Sequence, residues 1–205
     1  MAKLKNIILD LGGVLLNIDY NKTLQAFKDL GYNDFEEMYN QYSADALFEQ
    51  LETGNITNDE FYNKILKGRE ESVSKDQVTR AWNTLLLDFR LSTIEFLKEL
   101  AKKYNLYLLS NTNAIHLEAF RKIFAEQTGY PDIDVFFKTA YYSNLVHLRK
   151  PNRNIFQFVL SDARIWPEET LFIDDSYNNI DTARNMGFKT HLLLPGEKIE
   201  DLTYN

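Results

Sequence analysis

Short apolar runs that each end in a polar residue constrain the fold of this chain more than any other sequence feature. The runs occupy residues 7–9, 106–109 and 171–173, and further strands are predicted at residues 138–142 and 190–194. Apolar runs of this kind are typical of strands buried on both faces of a parallel sheet. Helical patterns separate the later runs, so the sequence predicts an α/β fold with a doubly wound, Rossmann-like parallel sheet.

The segment between the first strand and the later alternation has a different pattern. Residues 19–88 show helical periodicity throughout, a capping-box pattern begins at Thr57, and Ser43 is placed to cap another helix. We therefore expect an all-helical cap at residues 19–88. It would be inserted into a Rossmann-like core made of residues 1–18 and 89–205.

Composition excludes several classes of function. The 205 residues include 30 acidic and 23 basic side chains, and this net charge of -7 argues against nucleic-acid or anionic-membrane partners. The chain has no cysteine, which excludes disulfide scaffolds, zinc–thiolate sites, iron–sulfur clusters and thiol catalysis. The first apolar run is too short for a signal peptide or a membrane span, so we expect a cytoplasmic protein. We expect it to be a monomer or a homodimer.

Polar residues cluster where the predicted strands end. Asp10, Ser110 and the pair Asp174 and Asp175 each follow an apolar run, and Lys150 precedes a helix between them. Ligands of doubly wound sheets bind beyond the carboxyl ends of the strands, so we expect these groups to meet in one pocket. Three carboxylates would form a hard oxygen site suited to Mg²⁺.

A charge balance favours a metal in such a pocket. Three carboxylates and a phosphate dianion sum to about -5, whereas Mg²⁺ and one lysine return about +3. Main-chain N–H groups at glycine-rich turns and helix N-termini must offset the remainder. The predicted phosphate-binding residues are Gly12, Gly13, Ser110, Asn111 and Lys150.

The motifs together resemble a known superfamily. Asp10-Leu-Gly-Gly-Val, Ser110-Asn-Thr-Asn, Lys150-Pro and Asp174-Asp-Ser occur in this order. This arrangement resembles the haloacid dehalogenase-like (HAD) hydrolases, in the phosphatase branch that carries a helical cap. Asp-Leu-Gly, Leu-Ser-Asn-Thr-Asn followed by His116, and Arg-Lys-Pro are similar to the α-D-glucose-1-phosphate phosphatase group.

The resemblance implies a two-step hydrolysis of a small phosphorylated substrate, such as a hexose 1-phosphate. Asp10 would be the nucleophile and would form an aspartyl phosphate, while Ser110 and Lys150 would bind the transferring group. The implied Mg²⁺ ligands are Asp10, the backbone carbonyl of Gly12, Asp175 and Asp174.

One departure from the family pattern leaves alternatives open. Most phosphatases of this superfamily carry a general-acid aspartate two residues after the nucleophile, and Gly12 occupies that position here. Loss of a general acid typically costs about 10² to 10⁴-fold in rate. The sequence therefore also allows a protein that binds phosphometabolites without hydrolysing them. A metal-free 2-haloacid dehalogenase is a further alternative, although it has no use for Asp174 and Asp175.

Overall fold

The computed structural model describes residues 2–39 and 46–204. Within them, five parallel strands form the central sheet in the order β5-β4-β1-β6-β7. The strands are β1 (Asn6–Leu9), β4 (Asn105–Ser110), β5 (Thr139–Tyr142), β6 (Thr170–Asp174) and β7 (Lys189–Leu192). The strand order reverses on either side of β1, which confirms the predicted doubly wound sheet and its five strands.

Side chains of the central strand alternate between the two faces of the sheet. Ile7 and Leu9 pack in one apolar cluster with Leu97 and Phe120, whereas Ile8 packs in another with Phe156. Both clusters are closed to solvent. This two-sided burial is the physical reason for the continuous apolar run in β1.

Helices cover both faces of the sheet and also fill the segment between two short strands, β2 (Leu16–Ile18) and β3 (Leu86–Phe89). The described α-helices are α1 (Tyr20–Asp29), α2 (Phe35–Met38), α3 (Ala46–Glu52), α4 (Asn58–Ile65), α5 (Lys75–Asn83), α6 (Leu91–Ala101), α7 (Ala114–Thr128), α8 (Ser143–Val146), α9 (Arg153–Ala163) and α10 (Tyr177–Arg184). Short 3₁₀ helices lie at Ile133–Phe136, Pro167–Glu169 and Ile199–Asp201. No helix in the described ranges is long and apolar enough to cross a membrane.

Helices α1 to α5 have an apolar core of their own. Its centre is the fully buried Trp82, which lies among the rings of Phe35, Tyr39 and Phe48. The capping box predicted at Thr57 is present at the start of α4. The helix cap predicted at Ser43 lies outside the described residues.

One part of the predicted helical segment is a strand instead. Leu86–Phe89 forms β3, which pairs antiparallel with β2 (Leu16–Ile18). The two strands are separated by the whole helical insertion, so local periodicity carried no sign of their pairing. This ribbon joins helices α1 to α5 to the sheet.

Candidate active site

Asp10, Lys150 and Asp174 form a buried network at the carboxyl edge of the sheet. The Lys150 Nζ donates to Asp10 Oδ1 at 2.5 Å and to Asp174 Oδ2 at 2.7 Å. Asp10 follows β1 directly, and its N–H bonds to the carbonyl of Ile173 in β6 at 2.9 Å. The parallel register of β1 and β6 therefore places two carboxylates on either side of one ammonium group.

Asp174 is fixed by two further donors. Its Oδ1 accepts the N–H of Ser176 at 2.8 Å, and the Asn179 Nδ2 lies 3.0 and 3.1 Å from its two oxygens. Because these contacts and Lys150 engage both oxygens of a fully buried carboxylate, Asp174 is less available than Asp175 as a direct metal ligand.

Asn111 positions the main chain of Lys150. The Asn111 Oδ1 accepts the Lys150 N–H, and the Asn111 Nδ2 donates to the Lys150 carbonyl, both at 2.9 Å. The side-chain amide of Asn111 is therefore engaged, and any phosphate contact of this residue is left to its main chain. Ser110 lies at the end of β4, is buried and lines the same pocket.

The turn after β1 brings the backbone against Asp175. Gly13 has a φ of 73°, and a Cβ at this position would collide with the Asp175 carboxylate. The Gly13 N–H already donates to the Leu16 carbonyl at 2.9 Å, so the predicted phosphate contact through this group has no free donor. The role that the structure gives Gly13 is close approach of the turn to Asp175.

Carboxylate oxygens of Asp10, Asp174 and Asp175 lie within 4.8 Å of one another. This spacing and an all-oxygen donor set suit a small hard cation. Burial raises the pKa of Asp10 to about 8; Lys150 opposes this rise, and Asp174 and Asp175 add to it. Burial and Asp174 also raise the pKa of Asp175 to about 6. The raised pKa values mean that ionising these buried carboxylates is unfavourable. A divalent ion fits here because its positive charge would stabilise their ionised forms.

Lys150 stays charged in this setting. Burial alone would lower the pKa of its ammonium group, but Asp10 and Asp174 raise that pKa to about 12. The side chain is almost completely closed to solvent. Lys150 is therefore a fixed positive charge beside the predicted nucleophile.

A cavity of about 890 Å³ opens above this network. The helical insertion contributes Tyr20, Tyr39 and Glu52 to its wall, and the core contributes Arg149. Burial raises the pKa of Tyr20, and the carboxylate of Glu52 is the largest of the charges that raise it further. Neither Glu52 nor Arg149 was predicted as a site residue. Helical periodicity does not show that Glu52, at the end of α3, faces a pocket of the core, and Arg149 lies in a loop with no periodicity.

His116 joins the helical insertion to the core. Its Nε2 donates to the Trp82 carbonyl at 3.1 Å, its Nδ1 lies 3.1 Å from the Asn113 side-chain amide, and its ring stacks on Trp82. Since a carbonyl only accepts, the ring carries its proton on Nε2. Burial lowers the pKa of His116 to about 4, so the imidazole is neutral.

The doubly wound sheet, with a carboxylate–lysine network at its carboxyl edge, can be compared with known protein families. A family model described as "haloacid dehalogenase-like hydrolase" matches residues 4–187. The chain belongs to this family, as its motifs predicted.

One relative with a named activity and two solved structures are similar to this chain over most of its length. The chain is 33% identical over 189 residues to a D-ribitol-5-phosphate phosphatase of Bacteroides thetaiotaomicron, covering 91% of this chain and 90% of that protein. A HAD family enzyme of the same organism, solved with magnesium and inorganic phosphate, is 36% identical with a TM-score of 0.83 and coverage of 96% and 97%. A HAD-like family hydrolase of Porphyromonas gingivalis is 34% identical with a TM-score of 0.86 and coverage of 96% and 94%.

These comparisons confirm the predicted phosphatase class and its metal. The chain is a HAD phosphatase, a phosphoric monoester hydrolase, and its cofactor is Mg²⁺. The relative in Bacteroides is named for a small phosphorylated substrate, D-ribitol 5-phosphate.

Proposed function

We propose that this enzyme hydrolyses phosphate esters of sugars or sugar alcohols through an aspartyl phosphate on Asp10. The observation that carries this proposal is the buried contact between Asp10 and Lys150, which holds a carboxylate at the pocket floor beside a permanent cation. A carboxylate oxygen would attack phosphorus, and the bond from phosphorus to the ester oxygen would break. Water would then attack the same phosphorus and release inorganic phosphate and free Asp10.

The other site residues take supporting roles in this proposal. Lys150 and the Ser110 hydroxyl would bind the transferring group, together with main-chain N–H groups of Gly12 and Asn111. Bound Mg²⁺ would offset the charge of the phosphoryl group, held by Asp10, the Gly12 carbonyl and Asp175, with Asp174 beside them. Asp174 would act mainly by holding Lys150, because its oxygens are already engaged.

Helices α1 to α5 would act as a cap over the pocket. Tyr20 and Glu52 bring this unit to the cavity wall, opposite the strand ends. A cap in this place would exclude water and contact the leaving group. We propose boundaries near residues 18 and 88, with the β2–β3 ribbon as the connection.

Two different observations each favour one candidate substrate. The motifs resemble hexose 1-phosphate phosphatases, and an anomeric leaving group needs little protonation, which suits Gly12 in place of an acid. The relative in Bacteroides is named for D-ribitol 5-phosphate, whose leaving group is a primary alcohol. Both are neutral, hydroxyl-rich leaving groups, and this shared chemistry is the substrate class that we propose.

Phosphate release from a panel of phosphate esters tests the proposal. We expect turnover of glucose 1-phosphate or ribitol 5-phosphate with Mg²⁺, loss of turnover with EDTA, and a loss of at least about 10⁴-fold in Asp10→Asn. Turnover that survives in purified Asp10→Asn contradicts the mechanism. Tight binding of these esters without phosphate release, even from p-nitrophenyl phosphate, would support the non-catalytic alternative instead.

A further inference from the structure

An arginine and a glutamate from distant parts of the chain lie side by side in the cavity wall. The Arg149 Nη2 lies 3.0 Å from the Glu52 Oε2, and the Arg149 Nη1 lies 2.6 Å from the Glu49 Oε1. The Glu52 side chain is 9% exposed although it carries a carboxyl group, whereas the Glu49 side chain is 53% exposed. A carboxylate is seldom buried this far unless it is paired, and Glu52 lines a cavity large enough for a substrate.

The position of Glu52 is fixed by the core and does not depend on its side chain. Its main-chain carbonyl accepts the hydroxyl of Ser143 at 2.6 Å. The same hydroxyl accepts the N–H of Thr112, two residues after Ser110. The turn after α3 lies so close to the core that a Cβ at Gly54 would collide with the Asn144 carbonyl. The end of α3 is thereby held over the pocket.

The charge of this wall selects against anions. Glu49, Glu52 and Arg149 sum to one negative charge when all are ionised, and to zero if Glu52 is protonated. In neither state does the wall offer the net positive charge that a second phosphate or a carboxylate on the substrate needs. Lys150, the cation at the pocket floor, is already shared by Asp10 and Asp174.

The same wall offers hydrogen-bonding groups for alcohols. Tyr20 and Tyr39 line it with phenol rings, and the Arg149 Nε is buried without an acceptor in the described part of the chain. Hydroxyl groups both donate and accept, so they match a carboxylate, a guanidinium and phenols at once. A carboxylate that accepts two neighbouring hydroxyls is a strong, charge-assisted contact.

We propose that Glu52, supported by Arg149, is the specificity residue of this pocket and binds hydroxyl groups of a neutral polyhydric leaving group. This inference rests on the proposed function, because it concerns the leaving-group end of the same site. According to this proposal, Glu52 is the buried side chain that makes the pocket prefer phosphate esters with a neutral leaving group over those with an anionic one.

Binding measurements test this assignment without turnover. Mg²⁺-loaded Asp10→Asn protein would be titrated calorimetrically with ribitol 5-phosphate, 2-phosphoglycolate and inorganic phosphate. We expect ribitol 5-phosphate to bind at least about tenfold more tightly than 2-phosphoglycolate. Adding either Glu52→Gln or Glu52→Ala should weaken the binding of ribitol 5-phosphate about tenfold and leave the binding of inorganic phosphate within about twofold.

Glu49→Gln in the same background is the matched control. It removes the other, largely exposed carboxylate that pairs with Arg149, so it should change the affinity for ribitol 5-phosphate by less than about twofold. Equal losses for ribitol 5-phosphate and inorganic phosphate in Glu52→Gln would overturn the assignment, because they indicate a structural role. Equal effects of the two glutamate variants, or equal affinities for the neutral and anionic esters, would overturn it as well. Absence of phosphate release by the native enzyme would refute the proposed function, and these affinities would still decide the role of Glu52.

Discussion

The two ends of the pocket are built in different ways. At the floor, Asp10, Asp174 and Lys150 bond to one another, and neighbouring donors hold them in place. At the wall, Glu52 and Arg149 belong to separate segments that meet only where α3 docks on the core. The floor is a product of strand register, whereas the wall is a product of docking between helices and core. Under the proposals above, catalysis would depend on the strand ends of the sheet and substrate choice on the contact between α3 and the core.

After loss of the nucleophile itself, the largest expected effect follows from removing Lys150, the cation of the floor. Lys150→Met would leave the Asp10 and Asp174 carboxylates without their shared partner in a buried site. We expect kcat/KM to fall by about 10³-fold for every substrate, including p-nitrophenyl phosphate, because the lost charge contacts the phosphoryl end. Lys102→Met, at an exposed pair with Glu99, should leave activity unchanged. If kcat/KM of Lys150→Met fell only for sugar phosphates, Lys150 would also contribute to substrate choice, which contradicts the separation of floor and wall.

His116 tests the junction between the two units through stability. Its pKa in the folded state is about 4, against a reference value of 6.5. The unfolded state therefore binds more protons between these pH values, and stability present above pH 6.5 is lost as pH falls toward 4, by up to about 3 kcal/mol. His116→Gln keeps a donor for the Trp82 carbonyl and does not titrate, so its unfolding free energy should depend less on pH. Denaturant titrations at several pH values measure this difference, and parallel pH curves for the two proteins would contradict the assignment.

Alanine substitutions at the adjacent Gly12 and Gly13 test whether the close approach of the backbone to Asp175 matters for Mg²⁺ binding. In Gly13→Ala the new Cβ collides with Asp175 at a positive φ, so we expect Mg²⁺ affinity to fall by about 100-fold. In Gly12→Ala the new Cβ meets only the end of the Ile18 side chain at 3.1 Å, so we expect a change of less than about threefold. Calorimetric titration with Mg²⁺ compares the two, and similar losses would show that the approach of Gly13 to Asp175 is not what matters.

The smallest effect is expected from the residue that positions Lys150. Asn111→Ala removes both bonds to the Lys150 main chain and leaves every predicted charge in place. We expect kcat to fall about tenfold with little change in the pKa values of the pH–rate profile, because only the placement of the lysine is loosened. Steady-state kinetics over a pH range measure both quantities. A shift of the profile would mean that Asn111 also affects the charge state of the site.

The residues at the floor of the pocket could be predicted from the sequence because each is marked by a pattern in its own short segment. Asp10, Ser110 and Asp174 each follow an apolar run that must be a buried strand, and parallel strands bring their carboxyl ends together. The sheet, its strand positions and the helical insertion could therefore be read before the structure was known. The function class followed from the order of the same motifs along the chain.

Features that depend on distant contacts could not be read in this way. The strand β3 exists because it pairs with β2 some seventy residues earlier, and its local pattern looks like the end of a helix. Glu52 resembles any surface glutamate of an amphipathic helix until Arg149 and Ser143 are placed beside it. Asn111 was predicted to bind phosphate, but the contact of its side chain with the main chain of Lys150, thirty-nine positions away, has no local signal.

Covalent phosphorylation of Asp10 is the most direct test of the central claim. Native enzyme would be mixed with Mg²⁺ and ribitol 5-phosphate or glucose 1-phosphate, quenched in acid within milliseconds, and digested for mass spectrometry. The account predicts a phosphorylated peptide that contains Asp10, formed before inorganic phosphate reaches its steady rate of release and absent from Asp10→Asn. Steady release of phosphate with no phosphorylated Asp10 at any quench time would contradict it.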